Sequence, residues 1–250
     1  MMDMKNIHFK TALVAAALLS AGCTSVATFD YEGSRGTMIR ASHNGGVKTV
    51  AVMPFMDQRG AFTGDHRYND RGSYWLGWIP FLPSGFEVKN SPEKSDGFIT
   101  LERFHVNPQE EFAAGAAASL RRSGLFANVI QANNDAQAKA DYIFRGRIKA
   151  ATYEGDIWSC CITYGFAPLL WVVGVPYATS FNSLAVEFEL IDRASGNKVW
   201  SYAYDGSDYL NHWIYQPRVG EDVSLFAALL KEAMNGAVVN MSQAVPGLAR

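Results

Sequence analysis

A stretch of thirty residues without a single Asp, Glu, Lys or Arg separates Asp156 from Glu187. A helix that crosses a bilayer needs about 20 consecutive apolar residues. This stretch is apolar, but glycines at positions 165 and 174 and prolines at positions 168 and 176 interrupt it. Glycine weakens a helix and proline breaks it. The sequence therefore excludes a single membrane-spanning helix and predicts an apolar insertion, residues 157–182, between two strands.

One interpretation of the insertion is a hairpin that contacts lipid. Trp158, Tyr164 and Phe166 share one face of a nine-residue strand, a turn follows near Pro168, and residues 169–175 return as a second strand. A membrane strand has about 9–11 residues, and lipid-facing side chains alternate along it. This interpretation predicts a channel-forming oligomer.

The other interpretation is that the insertion packs on its own domain or on a partner subunit. Burial of Trp171 and its neighbours would then contribute several kcal/mol on the usual area scale. In either case the candidate membrane or partner contacts are the apolar side chains Trp158, Tyr164, Phe166, Leu170, Trp171, Val173, Trp75 and Trp78.

The N-terminus is typical of an exported protein. A short basic region with Lys5 and Lys10 precedes residues 11–19, which are apolar but too few to cross a bilayer. Residues 19–23, Leu-Ser-Ala-Gly-Cys, then resemble the lipobox of bacterial lipoproteins. The resemblance implies a signal peptide over 1–22 and a diacylglycerol on Cys23. Ordinary cleavage without lipid is the alternative.

The same resemblance implies a location. Thr24 stands where enterobacterial lipoproteins often carry the Asp that retains them at the inner membrane, so we expect the periplasmic side of the outer membrane. Acyl chains contribute about 0.8 kcal/mol per buried CH₂ and would anchor the protein without a helix. Residues 23–46 are polar and glycine-rich, which predicts a flexible tether, and one periplasmic domain should occupy residues 47–245.

Composition narrows the class of protein. The chain of 250 residues is 48% apolar, and its 22 basic side chains nearly balance 24 acidic ones. Such a chain can bury a core and is not a basic nucleic-acid binder. With Cys23 assigned to lipid, only the adjacent Cys160 and Cys161 remain. Neighbouring cysteines cannot provide a structural disulfide framework.

Periodicity predicts an α/β (α+β) fold with a single mixed sheet flanked by two main helices. Alternating or β-branched runs predict strands over 47–55, 126–130, 140–149, 183–192 and 199–204. Helices are expected over 107–124, where Asn107 is the candidate N-cap, and over 222–241. A long loop rich in Gly, Pro and aromatic residues, including Trp75 and Trp78, should span 60–105; its rings either cap the core or contact a membrane or partner.

Catalytic signatures are scarce. The five histidines show no paired metal spacing, so we expect no metal and no cofactor. No esterase elbow, phosphate-binding loop or dinucleotide fingerprint occurs. The loop residues Asp57, Asp65, His66 and Asp70 are the candidates for an unrecognised hydrolase, with a solvated loop as the alternative. Arg145, Arg147 and Lys149 should share a wet face of the sheet.

Three segments together carry a family resemblance. They are residues 48–57 (Lys-Thr-Val-Ala-Val-Met-Pro-Phe-Met-Asp), 120–126 (Leu-Arg-Arg-Ser-Gly-Leu-Phe) and 140–146 (Ala-Asp-Tyr-Ile-Phe-Arg-Gly). The chain resembles, over 48–150, the periplasmic domain of the curli secretion channel lipoproteins and related envelope lipoproteins. The resemblance implies a non-enzymatic domain that oligomerises or docks on envelope machinery. The curli channel inserts two hairpins per subunit, whereas this chain offers one.

These expectations converge on a lipid-anchored envelope protein that acts by binding, as an assembly or accessory factor in envelope transport or secretion. Its expected partners are the membrane, through Cys23, and a second copy or an envelope protein, with no nucleic acid. The channel-forming oligomer and the periplasmic hydrolase are the alternatives.

Overall fold

Strands and helices follow one another in an order that gives one open mixed sheet with helices packed on it. The computed structural model describes residues 26–40, 46–60, 69–70, 85–91, 93, 95–96, 103–104, 106–134, 138–158, 167–216, 221–245 and 248. The strands are β1 (Val26–Ala27), β2 (Thr49–Val52), β3 (Met56–Asp57), β4 (Asn69–Asp70), β5 (Gly85–Asn90), β6 (Ser95–Asp96), β7 (Arg103–Phe104), β8 (Asn128–Gln131), β9 (Tyr142–Trp158), β10 (Ala178–Asp192) and β11 (Lys198–His212). The helices are α1 (Pro108–Ser123), α2 (Ala167–Val172) and α3 (Glu221–Ala244). The fold class predicted from the sequence is confirmed.

The main sheet is built around a long antiparallel ribbon. Its order is β11-β10-β9-β2-β8, with β3 and β5 also paired to β9. β2 lies parallel to both β8 and β9. The ribbon strands β9, β10 and β11 run well past their predicted bounds, so part of the insertion, residues 178–182, belongs to β10.

The two main helices form where the sequence places them. Pro108 opens α1, acids occupy its first turn, and Gly124, with φ 73°, ends it. The predicted cap is wrong in detail, because the Asn107 side chain makes no capping hydrogen bond. Instead the Asn107 N–H donates to the Glu111 carboxylate at 2.9 Å. The Glu111 carboxylate, one turn into the helix, therefore accepts a hydrogen bond from the N-cap backbone, and the Asn107 side chain does not cap the helix.

Alternation along the strands separates two cores. Val50 and Val52 point into the large cluster between sheet and helices, with Phe112 from α1 and Phe226 from α3. Ala51 is one of a smaller cluster of buried apolar residues that also contains Met53, Ala132, Ala138 and Ile143. The two main helices thus cover one face of the sheet, and the other face is left largely to polar side chains.

The N-terminal segment packs on the helices instead of forming a free tether. Tyr31 is buried and its hydroxyl bonds Ser119 Oγ on α1 at 2.5 Å. Lys231 Nζ on α3 donates to the carbonyl oxygens of Glu32, Ser34 and Gly36. The flexible tether predicted for this region is wrong over these residues, because a buried aromatic ring and a buried ammonium fix the backbone.

The predicted long loop also contains structure. β5 extends the sheet by pairing antiparallel with the end of β9, from Gly85 opposite Trp158 to Asn90 opposite Tyr153. A small separate sheet has the order β1-β7-β6. A continuous loop over 60–105 is therefore wrong, since backbone pairing with β9 overrides the weak strand pattern of residues 85–90. Trp75 and Trp78 lie outside the described residues.

Candidate functional site

The antiparallel ribbon continues to an end that carries no formal charge. Ile157 of β9 pairs with Ala178 of β10, which pairs with His212 of β11. Beyond the last pair, the Tyr177 N–H donates to the His212 carbonyl at 2.9 Å. Neither 167–177 nor 209–216 contains Asp, Glu, Lys or Arg. We call these two segments the uncharged end.

The chain crosses the uncharged end as a short helix, α2, followed by a tight turn. The N–H groups of Val173 and Val175 donate to the carbonyls of Leu169 and Leu170. Gly174 allows the turn with φ 100°. The return strand that the membrane hairpin needs over 169–175 is therefore wrong, because these backbone groups bond within the segment rather than across a ladder.

Six side chains on this end form an exposed surface, which we call the apolar cap. Val173 is 77% exposed and Tyr215 is 66% exposed. The Tyr215 hydroxyl donates to the Val172 carbonyl and so joins the segment after β11 to α2. The six are Leu169, Val172, Val173, Val175, Ile214 and Tyr215. Tyr209 is also exposed but lies further back along β11, opposite Phe181, and is not counted in the cap.

Of the residues predicted to contact a membrane or a partner, the structure places some at the uncharged end and leaves others outside the described residues. Leu170 and Trp171 are half-buried, with the Trp171 ring 6.0 Å from that of Tyr177. Val173 is the most exposed member of the cap. Trp158 ends β9, but its side chain lies outside the described part, as do Tyr164, Phe166 and Cys23.

Behind the cap lies a buried polar cluster. His212 Nε2 is 2.8 Å from Ser180 Oγ and 3.2 Å from Asp222 Oδ1, at the start of α3. Asn182 donates to the Asp222 carbonyl at 2.8 Å, and Tyr153 reaches Ser180 at 3.3 Å. All five side chains are buried. The cluster joins β9, β10 and β11 to the first turn of α3.

This cluster contains Ser, His and Asp but lacks the geometry of a catalytic triad. In a triad the serine and the acid bind different ring nitrogens of the histidine. Here Ser180 and Asp222 both lie beside Nε2. Ser180 is also fully buried, so a substrate has no access to its hydroxyl. The arrangement is that of a packed structural network.

The open face of the sheet carries a ladder of ion pairs. Glu189, 4% exposed, accepts from Arg147 at 2.7 Å and from Lys198 at 3.1 Å. Glu187 lies 3.6 Å from Arg147 and 3.5 Å from Lys149. The register shift opposite Ala185 and Val186 leaves Lys149 as the bulged residue. The polar face predicted for Arg147 and Lys149 is confirmed, and acids on β10 neutralise it.

The candidate acid Asp57 is also paired. It lines an open groove of about 400 Å³ with Arg59 and Lys149. Arg59 Nε donates to Asp57 Oδ1 at 2.9 Å, and the same guanidinium contacts Glu93. Hydrogen bonds from Arg59 lower the pKa of Asp57, which keeps it ionised and unsuited to donate a proton. Asp65 and His66 lie outside the described residues.

Two features are absent from the described residues. No helix there is both long and apolar enough to cross a membrane. No three His, Cys, Asp or Glu side chains there are grouped closely enough to hold a metal ion.

Two parts of this region were missed by sequence reasoning. Ile214 and Tyr215 belong to the cap but follow the predicted hairpin in sequence. The signal that could have found them is the charge-free run 209–217, which repeats the character of the insertion on a neighbouring strand. The burial of His212 with Asp222 left no comparable signal, because isolated polar residues fit a solvated turn equally well.

Solved structures that match this chain do so at low TM-scores and low sequence identity. A Xanthomonas campestris protein of the DUF330 family has a TM-score of 0.44 at 8% identity, covering 88% of this chain and 96% of that chain. The PelC dodecamer from Paraburkholderia phytofirmans has a TM-score of 0.35 at 18% identity, with 80% and 97% covered. A Helicobacter pylori neuraminyllactose-binding hemagglutinin homologue has a TM-score of 0.32 at 10% identity, with 88% and 92% covered.

No protein-family model matches the chain, and no curated protein matches it. The similarities to solved structures are too low to assign a family or an activity. The curli-type family membership therefore stays a prediction.

Proposed function

We propose that this protein is a lipid-anchored envelope protein that acts by binding, as an assembly or accessory factor in envelope transport or secretion. The observation that carries the proposal is the lipobox-like sequence ending at Cys23, three positions before the first described residue, Val26. A chain fully extended over three residues spans about 10 Å. A lipid on Cys23 would therefore hold the folded domain directly at the membrane.

Two of the candidate reactive groups in the described part of the chain favour binding over catalysis. Asp57 is held by Arg59, and Ser180 is buried, with Asp222 on the same ring nitrogen of His212 that Ser180 contacts. The exposed apolar cap instead suits contact with another surface.

The anchor is tested by the mass of the N-terminal peptide and by fractionation of membranes. We expect a diacylglyceryl modification on Cys23 and recovery in the outer-membrane fraction. Cys23→Ser should lose both, whereas the matched Cys160→Ser should keep both. A wild-type protein that is cleaved near Ala21 and recovered unmodified from the periplasm would contradict the proposal.

The binding role is tested by chemical crosslinking in intact cells, followed by mass spectrometry. We expect envelope proteins to crosslink to the wild type and to be lost with Cys23→Ser, because only the anchored domain is held among them. Turnover of ester, glycoside or peptide substrates by the soluble protein, abolished by His66→Ala, would instead establish the hydrolase alternative.

A further inference from the structure

We propose that the apolar cap is a membrane-contact surface that lies in the headgroup region of the bilayer that receives the lipid on Cys23. This inference rests on the proposed lipid anchor and gives the anchored domain an orientation. The domain would stand end-on, with the uncharged end of the ribbon at the membrane and its ion-paired half far from the membrane.

Both main helices point their N-terminal ends towards the uncharged end of the domain. α3 starts beside the end of β11, where Asp222 contacts His212 at 3.2 Å. α1 runs parallel to α3, because Phe112 lies 6.4 Å from Phe226 and, one turn later, Gly115 contacts the Leu230 side chain. The start of α1 therefore points in the same direction as the start of α3.

The N-terminal segment runs back along α1 towards that same end. Tyr31 contacts Ser119 near the end of α1, whereas the Phe29 ring lies 5.5 Å from Phe112 near its start. Before Phe29, β1 pairs parallel with β7, the strand that leads into α1. Followed towards Cys23, the chain thus leaves the domain on the side of the uncharged end.

The chemistry of the cap fits lipid. Five of its six exposed side chains are aliphatic and the sixth is a tyrosine. Neither 167–177 nor 213–216 contains Asp, Glu, Lys or Arg. Two half-buried aromatic residues, Trp171 and Tyr177, belong to the same segment, with their rings 6.0 Å apart. Aromatic residues are enriched where proteins meet the membrane interface, and burial of apolar side chains among headgroups binds peripheral proteins. The bilayer is the favoured occupant because the N-terminal segment, followed towards Cys23, runs in the direction of the same end of the domain.

Hydroxyl-radical footprinting of the full-length lipidated protein tests the contact. The protein is reconstituted in vesicles of phosphatidylethanolamine and phosphatidylglycerol at a three-to-one ratio, and the Cys23→Ser protein in buffer is the reference. We expect oxidation of Leu169, Val172 and Tyr215 to slow about threefold in vesicles. Oxidation of Val47 should not change, because Val47 is 66% exposed at the opposite end, next to the bond between Gly46 and Gly124.

Matched substitutions test which end binds. In the Cys23→Ser protein, Val173→Glu with Ile214→Glu should weaken flotation with these vesicles about tenfold, since each buried charge is costly in the bilayer. Val47→Glu with Val239→Glu adds the same charges at comparably exposed positions near the far ends of the helices and should leave flotation unchanged. Without charge in the cap, flotation should be insensitive to salt.

The outcomes separate this inference from the proposed function. A lipidated Cys23 with unchanged oxidation at the cap would overturn the inference and leave the anchor intact. A wild-type protein that carries no lipid on Cys23 and still binds vesicles through the cap would support the contact and refute the anchor. Loss of a soluble dimer or larger assembly with Val173→Glu and Ile214→Glu, without any effect on flotation, would assign the cap to a second copy and overturn the inference.

Discussion

Replacing Lys231 by Met should release the N-terminal segment from the helices. Lys231 is 2% exposed, and its ammonium donates to the carbonyl oxygens of Ser34 at 2.7 Å, Glu32 at 3.3 Å and Gly36 at 3.4 Å. It also lies 5.6 Å from the centre of the Tyr31 ring. Burial lowers the pKa of Lys231, so the lysine has a desolvation cost that these contacts offset.

The lengths of the three hydrogen bonds from the Lys231 ammonium set the expected loss of stability. A hydrogen bond that involves a charged group contributes about 1.5–3 kcal/mol to stability. Only the bond to Ser34 is short, and methionine removes the desolvation cost of the ammonium while keeping most of the apolar stem. We therefore expect the free energy of unfolding to fall by about 2–3 kcal/mol, a large part of the stability of an ordinary domain.

Urea unfolding and limited trypsin cleavage of the Cys23→Ser protein measure this effect. Lys231→Met should lower the urea midpoint and speed cleavage after Arg35, an exposed residue of the released segment. Lys48→Met is the control, because Lys48 is half-exposed with its partner Asp141 at 3.7 Å; it should change stability by less than about 1 kcal/mol. Unchanged stability and unchanged cleavage at Arg35 in Lys231→Met would refute the reasoning.

Three further changes probe the packing. Burial raises the pKa of Tyr31 to about 12, so the folded state keeps a proton that the unfolded state releases near pH 10. This tyrosine should lower stability by about 1.4 kcal/mol per pH unit between these values, and Tyr31→Phe should make the fall in alkaline urea titrations shallower by that amount; the remaining fall comes from Tyr204, whose pKa burial also raises. Gly146→Ala would place a Cβ 2.6 Å from an aromatic ring and should cost about 1–3 kcal/mol, whereas Gly60→Ala, with open space around it, should be neutral by calorimetry. His212→Leu leaves the Asp222 carboxylate buried without its partner and should cost about 3–5 kcal/mol; an equal or larger loss from Asp222→Asn would contradict that explanation.

Element type was predictable from sequence where one periodicity dominates. Val50 and Val52 alternate with Ala51 in the sequence. In the structure the two valines lie on one face of β2 and Ala51 lies on the other, as expected. The acids and arginines of α1 likewise mark its two ends. These signals are local, so the sequence carries them without knowledge of the tertiary fold.

The sequence predictions are wrong where contacts between distant parts of the chain determine the local structure. Residues 31–36 contain glycine and polar side chains and suit a tether, but Lys231, far along the chain, supplies the donors that fix their backbone. Residues 85–90 have little strand character, yet β9 offers them an edge to pair with. Both contacts join residues distant in sequence, which no local pattern records.

The candidate surface was partly predictable for the same reason. An absence of charge is a local property, and it singled out the segment that contains Leu170, Trp171 and Val173; their contact with a membrane or a partner stays a prediction. The shape of that end was not predictable, because an apolar run interrupted by proline fits a hairpin and a helical turn equally well. The return of β11 beside β10 decided which residues completed the cap.

The charged face and the uncharged end belong to the same three strands, and this continuity bears on how the cap would work. Glu189 and Arg147 pair in one half of the ribbon, and His212 and Ala178 pair at its other end. Backbone hydrogen bonds run unbroken between the halves except at the bulge of Lys149. The cap is therefore held by a sheet whose other half is fixed by ion pairs, so a membrane or protein surface would meet a preformed contact and the cost of ordering it would already be met by folding.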